Sequence, residues 1–392
     1  MSDQSSFDII IAGAGASGLS LLWNLLQSDV LNRKKILLLD QSLVPANDKT
    51  WCFWEKASLP GQELIHHTWP TLQVRAFDDI FSEKLDCYQY HCIRSIDYST
   101  SILQLAASHP SVTCLETSIT GFKSAETHSI VHTTNGDYSA EWIFQSAVKP
   151  KNFHSLPVDI SLKQHFMGVE IETREPVFDP DTAMLMDFDT SQAEGVTFFY
   201  VLPFTQTKAL VEYTFFTENV LTEDQYMRGI RAYLHNRYEL SDNHYTILRT
   251  ELGSIPMEDR RYPAWHTDRV MNIGTVGGLT KPSTGYTFTR IQRHSKSLVR
   301  ALENGDPLPE ANRSDYRFRV YDMMLLYLLK SDPSICKKIF HDLFQKNSFD
   351  KILRFLEEDT RVPHELSIFS SLPYTPFFKA IYQMKHRIFT GA

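Results

Sequence analysis

Apolar positions in residues 7–40 fall into blocks of different period. Ile9-Ile10-Ile11-Ala12 and Ile36-Leu37-Leu38-Leu39 are continuous runs, the pattern of strands buried on both faces. Between them Leu19, Leu22, Leu25 and Leu26 recur at helical spacing. Gly13-Ala14-Gly15-Ala16-Ser17-Gly18 separates the first run from the helix, so the predicted order is strand, glycine turn, helix, strand. In that setting Gly13, Gly15 and Gly18 have distinct jobs: a tight turn, close backbone approach to a pyrophosphate, and close helix–strand packing. The phosphates would sit on the positive helix N-terminus. Asp40 ends the second run about 20 residues beyond Gly18, where an acid takes both hydroxyls of an adenosine ribose. A bound dinucleotide is expected, the alternative being a glycine turn used only for packing.

Beyond Asp40 the pattern changes several times. A polar turn leads into Trp51-Cys52-Phe53-Trp54, which either stacks on a cofactor and walls an apolar pocket or plugs a buried loop. Arg94, ahead of a helix-like run at 102–107, either neutralises cofactor phosphate or is a solvated helix-end arginine. Alternating runs around Asn135-Gly136 predict a hairpin, and 140–146 returns the chain to the first sheet. Residues 165–172, 183–188, 196–202 and 208–216 are strand-like, separated by Pro176, Asp179-Pro180-Asp181 and Glu194-Gly195; they predict an antiparallel sheet. A short strand at 269–273 then enters Gly274-Thr275-Val276-Gly277-Gly278 and Pro282-Ser283-Thr284-Gly285-Tyr286, followed by a helix over 287–302. This second glycine-rich turn is expected to present backbone N–H groups to an anion or polarised ring, so that the two turns hold both ends of an extended cofactor. From 316 onward the pattern is helical and amphipathic.

The chain has 392 residues, 42% of them hydrophobic, enough for one large domain with an insertion or two interleaved domains. A formal net charge of -8 leaves no basic footprint, and nucleic acid is not an expected partner. Cys52, Cys87, Cys92, Cys114 and Cys336 form no C-x-x-C pair, which argues against a disulfide framework or a metal site and fits a reducing cytoplasm. The start, Met-Ser-Asp-Gln-Ser-Ser, carries no signal-peptide pattern, and no stretch reaches the ~20 apolar residues of a membrane span. A soluble or membrane-surface protein is expected.

Asn47-Asp48-Lys49-Thr50-Trp51-Cys52-Phe53-Trp54, Phe166-Met167-Gly168-Val169-Glu170, Met186-Asp187-Phe188, Phe199-Tyr200-Val201-Leu202-Pro203-Phe204, Leu210-Val211-Glu212 and Pro282-Ser283-Thr284-Gly285-Tyr286 resemble, in order, the motifs of the bacterial lycopene beta-cyclases. The resemblance implies an α/β flavoprotein fold of the hydroxybenzoate-hydroxylase type, with a Rossmann-type dinucleotide-binding domain (1–75, 90–160 and 265–310), an inserted antiparallel β-sheet substrate domain (161–264) and C-terminal helices (311–392). It implies FAD, kept reduced by NADPH or NADH although the reaction has no net redox change, and lycopene or a related carotenoid whose ends close to beta-rings through a carbocation. The family's catalytic acid falls on Glu212, and cofactor contacts are expected at Gly13, Gly15, Gly18, Asp40, Arg94, Gly277, Gly278, Thr284, Gly285 and Tyr286. Many relatives carry a second acid where this chain has Tyr213 and His where it has Lys281, and the wider flavin-hydroxylase group has Gly-Asp at Gly274-Thr275.

The residues around Glu212 suit that chemistry. With a period of two, Glu212 shares a strand face with Leu210, Thr214 and Phe216, while Val211 and Phe215 fill the other. A carboxyl group desolvated there keeps its proton near neutral pH, as protonation of a carbon–carbon double bond requires. The bland alternative is a strand-end glutamate paired with Lys208 or an arginine; for Glu170 and Asp187 structural pairing is the expected role. At the level of function the alternatives are a flavin monooxygenase or dehydrogenase acting on an apolar substrate, and a flavin-dependent binding or redox-sensing protein. Phe377, Phe378, Ile381, Tyr382, Met384 and Ile388 form an apolar stripe with Lys379, Lys385, His386 and Arg387 on a basic side. That composition predicts peripheral attachment to the inner face of the cell membrane, the alternative being a helix packed on the core.

Overall fold

Both faces of the first sheet are buried, as its continuous apolar runs require. The computed structural model describes residues 6–56, 62–149, 153–311 and 314–390. The chain begins β1 (Ser6–Ala12), α1 (Ala16–Leu26), β2 (Ile36–Asp40), β3 (Thr50–Glu55), β4 (His67–Trp69), β5 (Thr71–Ala76), β6 (Asp79–Lys84), β7 (Gln89–Arg94) and α2 (Ser95–Ser108). It continues β8 (Val112–Glu116), β9 (Ile119–Ser124), β10 (Ser129–Thr133), β11 (Gly136–Gln145), β12 (Ser161–Thr173), β13 (Thr182–Asp187), β14 (Val196–Pro203), β15 (Lys208–Thr217), α3 (Glu223–Tyr238) and β16 (Tyr245–Glu258). After β17 (Trp265–Thr267), β18 (Val270–Asn272) and α4 (Phe288–Asn304) come the helices α5 (Tyr316–Ser331), α6 (Pro333–Lys346), α7 (Phe349–Leu356), α8 (Val362–Phe369), α9 (Tyr374–Gln383) and α10 (Lys385–Thr390).

The first sheet has the order β17-β18-β11-β1-β2-β8, with β18, β11, β1, β2 and β8 parallel to one another. Ile9 and Ile11 pack with Leu19, Leu22 and Leu25 of α1, whereas Ile10 packs with Leu37, Val131 and Val270 on the opposite face. The expected hairpin is present as β10 and β11, closed with Thr133 opposite Gly136. The carboxyl ends of β1, β2, β11 and β18 share one edge, where the two glycine turns leave the sheet. Ligands of open parallel sheets bind at such an edge.

The second sheet runs β16-β12-β15-β14-β13-β5-β6, antiparallel except where β13 meets β5. Residues 71–84 therefore add strands to the segment 161–264. Its two faces differ as the period-two reading requires. Val211, Tyr213 and Phe215 pack with Tyr226, Ile230 and Leu234 of α3, while Leu210 and Phe216 face a larger cluster that includes Trp54, Tyr90 and Leu353. A small sheet, β3-β7-β4, lies between the layers, and β3 serves both: Phe53 packs in the α1 layer and Trp54 against the second sheet. This places β3 over the face that carries Glu212.

The carboxy-terminal helices close that face. Leu326, Leu328, Leu329, Ile339, Phe344, Ile352 and Leu353 are core residues, and Trp54 Nε1 donates to the Leu353 carbonyl at 3.2 Å. Among the described residues no helix is long and apolar enough to cross a membrane. The C-terminal stripe is split rather than continuous. Met384 and Ile388 are buried and Phe377 and Ile381 pack against the core, whereas Phe378 and Tyr382 on α9 are 68% and 65% exposed.

Candidate active site

The first glycine turn is shaped by close approach. A Cβ on Gly18 would lie 1.8 Å from the Gly13 carbonyl oxygen, so only glycine lets α1 start this near β1. Gly13 has φ +115° and sits against Ser146, the residue that follows β11. Gly15 differs: it is exposed, and nothing lies within 4 Å of where its Cβ would be. α1 begins there with no side-chain cap, leaving its first N–H groups without a protein acceptor from a capping residue. The Asp40 carboxylate accepts from the Ala14 N–H at 2.5 Å, which fixes the acid beside the turn. Beneath it, Ser20, Tyr98 and Gln292 are mutually hydrogen-bonded and tie α1 to α2 and α4.

The second turn meets the first. A Cβ on Gly274 would clash with Ser17 at the start of α1 and approach Ser146 as well. Its expected anion-facing N–H groups, however, are used internally. Gly277 N–H donates to Gly274 at 3.1 Å, Gly278 N–H to Thr275 at 3.0 Å, and Thr284 and Gly285 N–H both donate to the Lys281 carbonyl. What this segment offers instead is side chain: Thr284 Oγ1 and Gln164 Oε1 are buried without a hydrogen-bond partner among the described residues. Gly285 lies directly against Gln164. Thr275, at the position of the flavin-hydroxylase acid, is exposed.

Lys281 is buried and donates to Asp322 at 3.1 Å and Glu358 at 2.8 Å, pinning the turn to the C-terminal helices. A cavity of about 190 Å³ between these elements is lined by Cys52, Trp54, Tyr286, Arg290 and Phe318. Tyr286 meets Trp54 edge-on at 4.6 Å between ring centroids.

One row of residues crosses the second sheet. Tyr200 of β14 is opposite Glu212 of β15, Glu212 is opposite Gly168 of β12, and Gly168 is opposite Glu251 of β16. Gly168 leaves room there: its Cβ would lie 3.1 Å from both Glu251 Cγ and Leu210 Cδ1, a tight approach, and 3.5 Å from Glu212 Cβ. Glu212 is 8% exposed and accepts from Thr214 Oγ1 at 2.7 Å. Lys208, the partner of the bland reading, pairs with Glu172 instead. Burial, then the charge of Glu251, pushes the Glu212 carboxyl up to about 8, with Thr214 opposing. Cys52 and Tyr286 line the cavity and feel the charge of Glu212, joining cavity to carboxyl. Burial raises both of those groups as well, so they stay neutral near pH 7.

Glu251 is held differently. It accepts from Arg249 Nη1 at 2.6 Å and Thr50 Oγ1 at 2.9 Å. Arg249 Nε also donates to Glu170 at 3.1 Å, and Glu170 accepts from Arg94 Nη2 at 2.8 Å. Arg94, Glu170, Arg249 and Glu251 thus alternate in sign and balance, and Arg94, at the end of β7, is paired with Glu170 of the second sheet. Glu170 and Asp187 have the structural pairing expected of them, Asp187 with Tyr233 and Arg237 of α3. Tyr213 points away from Glu212, stacked on Phe199 at 4.2 Å and bonded to Thr190, so an acid at that position would face α3.

Sequence reasoning missed Glu251 and Arg249, and gave Thr50 no role of its own although it stands in the motif that carries the resemblance. The available signal was the spacing of Arg249 and Glu251, two apart on one strand and hence on one face. Of the aromatic cluster, Trp54 reaches the cavity, while Trp51 stacks on Phe288 in the α1 layer at 5.7 Å.

Comparison with known proteins agrees with this architecture. A flavoprotein/dehydrogenase from Cytophaga hutchinsonii superposes with a TM-score of 0.58 at 12% identity, covering 93% of this chain and 98% of that one, and shares the fold. A lycopene beta-cyclase of Pantoea ananas is 26% identical over 297 residues, 73% of this chain and 72% of that protein. Another, from Pseudescherichia vulneris, is 23% identical over 291 residues, 72% and 70% of the two chains. The family model for lycopene cyclase protein matches residues 8–382, and the chain belongs to that family.

Proposed function

We propose that this protein is a lycopene beta-cyclase that closes the acyclic ends of lycopene to beta-rings, with Glu212 as the proton donor. The observation that carries the reading is a carboxyl group buried among apolar side chains with no cation of its own among the described residues, close to a cavity whose lining includes Trp54, Tyr286 and Phe318 together with charged side chains such as Arg290 and Glu358. Glu212 gives its proton to the terminal double bond of the polyene. The resulting cation is attacked by the neighbouring double bond, a carbon–carbon bond closes the ring, and loss of a ring proton regenerates an alkene with no net redox change. The faces of Trp54 and Tyr286 support positive charge in this space, and the surrounding apolar cluster excludes the water that would trap it.

The residues fit FAD. Gly15 and the uncapped start of α1 suit the pyrophosphate, Asp40 the adenosine ribose, and the unpartnered Thr284 Oγ1 and Gln164 Oε1 the far end of the cofactor. When bound and reduced, the flavin supplies a negative field near a carbocation without giving up electrons. NADPH or NADH is the proposed reductant. In this reading 1–75, 90–160 and 265–310, built around the first sheet, hold the cofactor, apart from 71–75, which belong to β5 of the second sheet; 161–264 supplies the substrate face, and 311–392 closes it.

A polyene substrate resides in lipid, and peripheral attachment to the inner face of the membrane is part of the proposal. Phe378 and Tyr382 on α9, with Lys385 Nζ over the Tyr382 ring at 4.4 Å, support this. Turnover of lycopene by purified holoenzyme under anaerobic conditions tests the function: beta-ring products with reductant in catalytic amount are expected. Consumption of one reductant and one O₂ per product would make the protein a monooxygenase instead.

A further inference from the structure

We propose that Glu251 is the positioning residue for Glu212: an ionised carboxylate, fixed by Arg249 and Thr50, that faces Glu212 across the gap left by Gly168 and holds the proton there. The inference rests on Glu212 being the acid. Its basis is geometric. Glu212 and Glu251 occupy one row on either side of Gly168, and both are buried. Their partners are unequal: Glu251 has a guanidinium at 2.6 Å, whereas Glu212 has the Thr214 hydroxyl.

The arginines and carboxylates of the Arg94–Glu170–Arg249–Glu251 series already balance, so a second negative charge beside Glu251 has no counter-ion among the described residues. One proton is therefore retained by the pair, and it resides on the member without a cation. Burial, the largest influence, raises the Glu251 carboxyl above the ordinary glutamate value as well, while Arg249 and Thr50 oppose that rise and favour its ionised form over that of Glu212.

The other groups that act on Glu212 do not supply a competing charge. Cys52 on β3, Tyr200 on β14 and Tyr286 are partly buried, desolvation raises their pKa values, and they remain neutral. Tyr226 on α3 is pushed up to about 12 and is neutral too. Among the described residues, Glu251 is the charge that distinguishes this acid from an ordinary buried glutamate.

The test is the pH profile of kcat/KM for cyclisation by holoenzyme, with Glu251→Gln and Glu251→Asp beside the parent chain. Removing the like charge lowers the pKa of Glu212, so the alkaline limb of Glu251→Gln should move down by about one pH unit or more. Glu251→Asp, which keeps the charge, should move it back toward the parent position. Should Glu251→Gln be inactive, the carbonyl stretch of the protonated carboxyl, read by infrared titration of substrate-free holoenzyme and assigned by its loss in Glu212→Gln, reports the same shift. An alkaline limb and carboxyl band that titrate as in the parent chain overturn the proposal. Activity in Glu212→Gln would overturn the acid assignment itself, a separate outcome.

Discussion

Glu212 and Glu251 lie on either side of Gly168, two carboxylates brought together over a strand that has no side chain between them. One has an arginine and the other does not, and this asymmetry decides which holds the proton. Cyclisation should accordingly fail as pH rises through about 8, the value to which burial and Glu251 push Glu212. The rate of beta-ring formation against pH, at saturating flavin and constant reductant, checks this. Undiminished activity two units above that value would contradict it.

The same group opposes folding. An ordinary glutamate ionises at 4.5, whereas Glu212 keeps its proton to about 8 when folded, so its folded pKa is raised. The unfolded chain releases a proton in that window that the folded chain retains, and stability falls by about 1.4 kcal/mol per pH unit across it. Glu212→Gln removes this loss. Its stability advantage over the parent chain should grow as pH rises from 4.5 toward about 8 and level off above, as read by denaturant unfolding at several pH values.

Gly15 and Gly18 should separate binding from folding. Gly18→Ala places a methyl against the Gly13 carbonyl and should destabilise the fold by about 1–3 kcal/mol or more. Gly15→Ala meets no protein atom and has an ordinary φ of -76°, so it should fold normally yet retain less FAD, its methyl filling the approach to the pyrophosphate. Thermal unfolding and flavin retention after gel filtration distinguish the two. Normal flavin content in Gly15→Ala would place the cofactor elsewhere.

Asp40→Ala should lose FAD more readily than Asp40→Glu, because a carboxylate is needed both for the Ala14 N–H and for the ribose hydroxyls. Equal retention in the two variants would remove Asp40 from the site.

Membrane attachment should depend on the outward half of the C-terminal stripe. Phe378→Glu with Tyr382→Glu should reduce flotation with anionic liposomes and leave stability unchanged. Phe377→Glu, by contrast, should destabilise the protein, since that ring packs against the core. Equal flotation of the double variant and the parent chain would exclude lipid contact through α9.

What could be read from the chain was what depends on local period and turn chemistry. The first strand, glycine turn, helix and second strand were legible because each imposes its own spacing, and the face of Glu212 followed from alternation alone. Glu251 was hidden because β16 is an edge strand that inverts the usual pattern: Leu248 and Leu252 are 45% exposed while Glu251 is buried. Only pairing with β12, which sets Glu251 opposite Gly168 and Arg249 opposite Glu170, fixes that orientation. The partner of Arg94 was likewise invisible, since Glu170 lies far away in sequence. The C-terminal stripe was correct in composition, but helix packing, which no local pattern specifies, divided it between core and solvent.

The most direct test of the central claim is anaerobic turnover of lycopene by the parent chain and by Glu212→Gln, both loaded with FAD and equally reduced. The amide is nearly isosteric with the acid and cannot donate a proton to carbon. The expected result is beta-ring product from the parent chain and loss of cyclisation in a variant that still folds and binds flavin. Retention of more than about a tenth of the activity, a barrier change below about 1.4 kcal/mol, would show that Glu212 is not the essential acid.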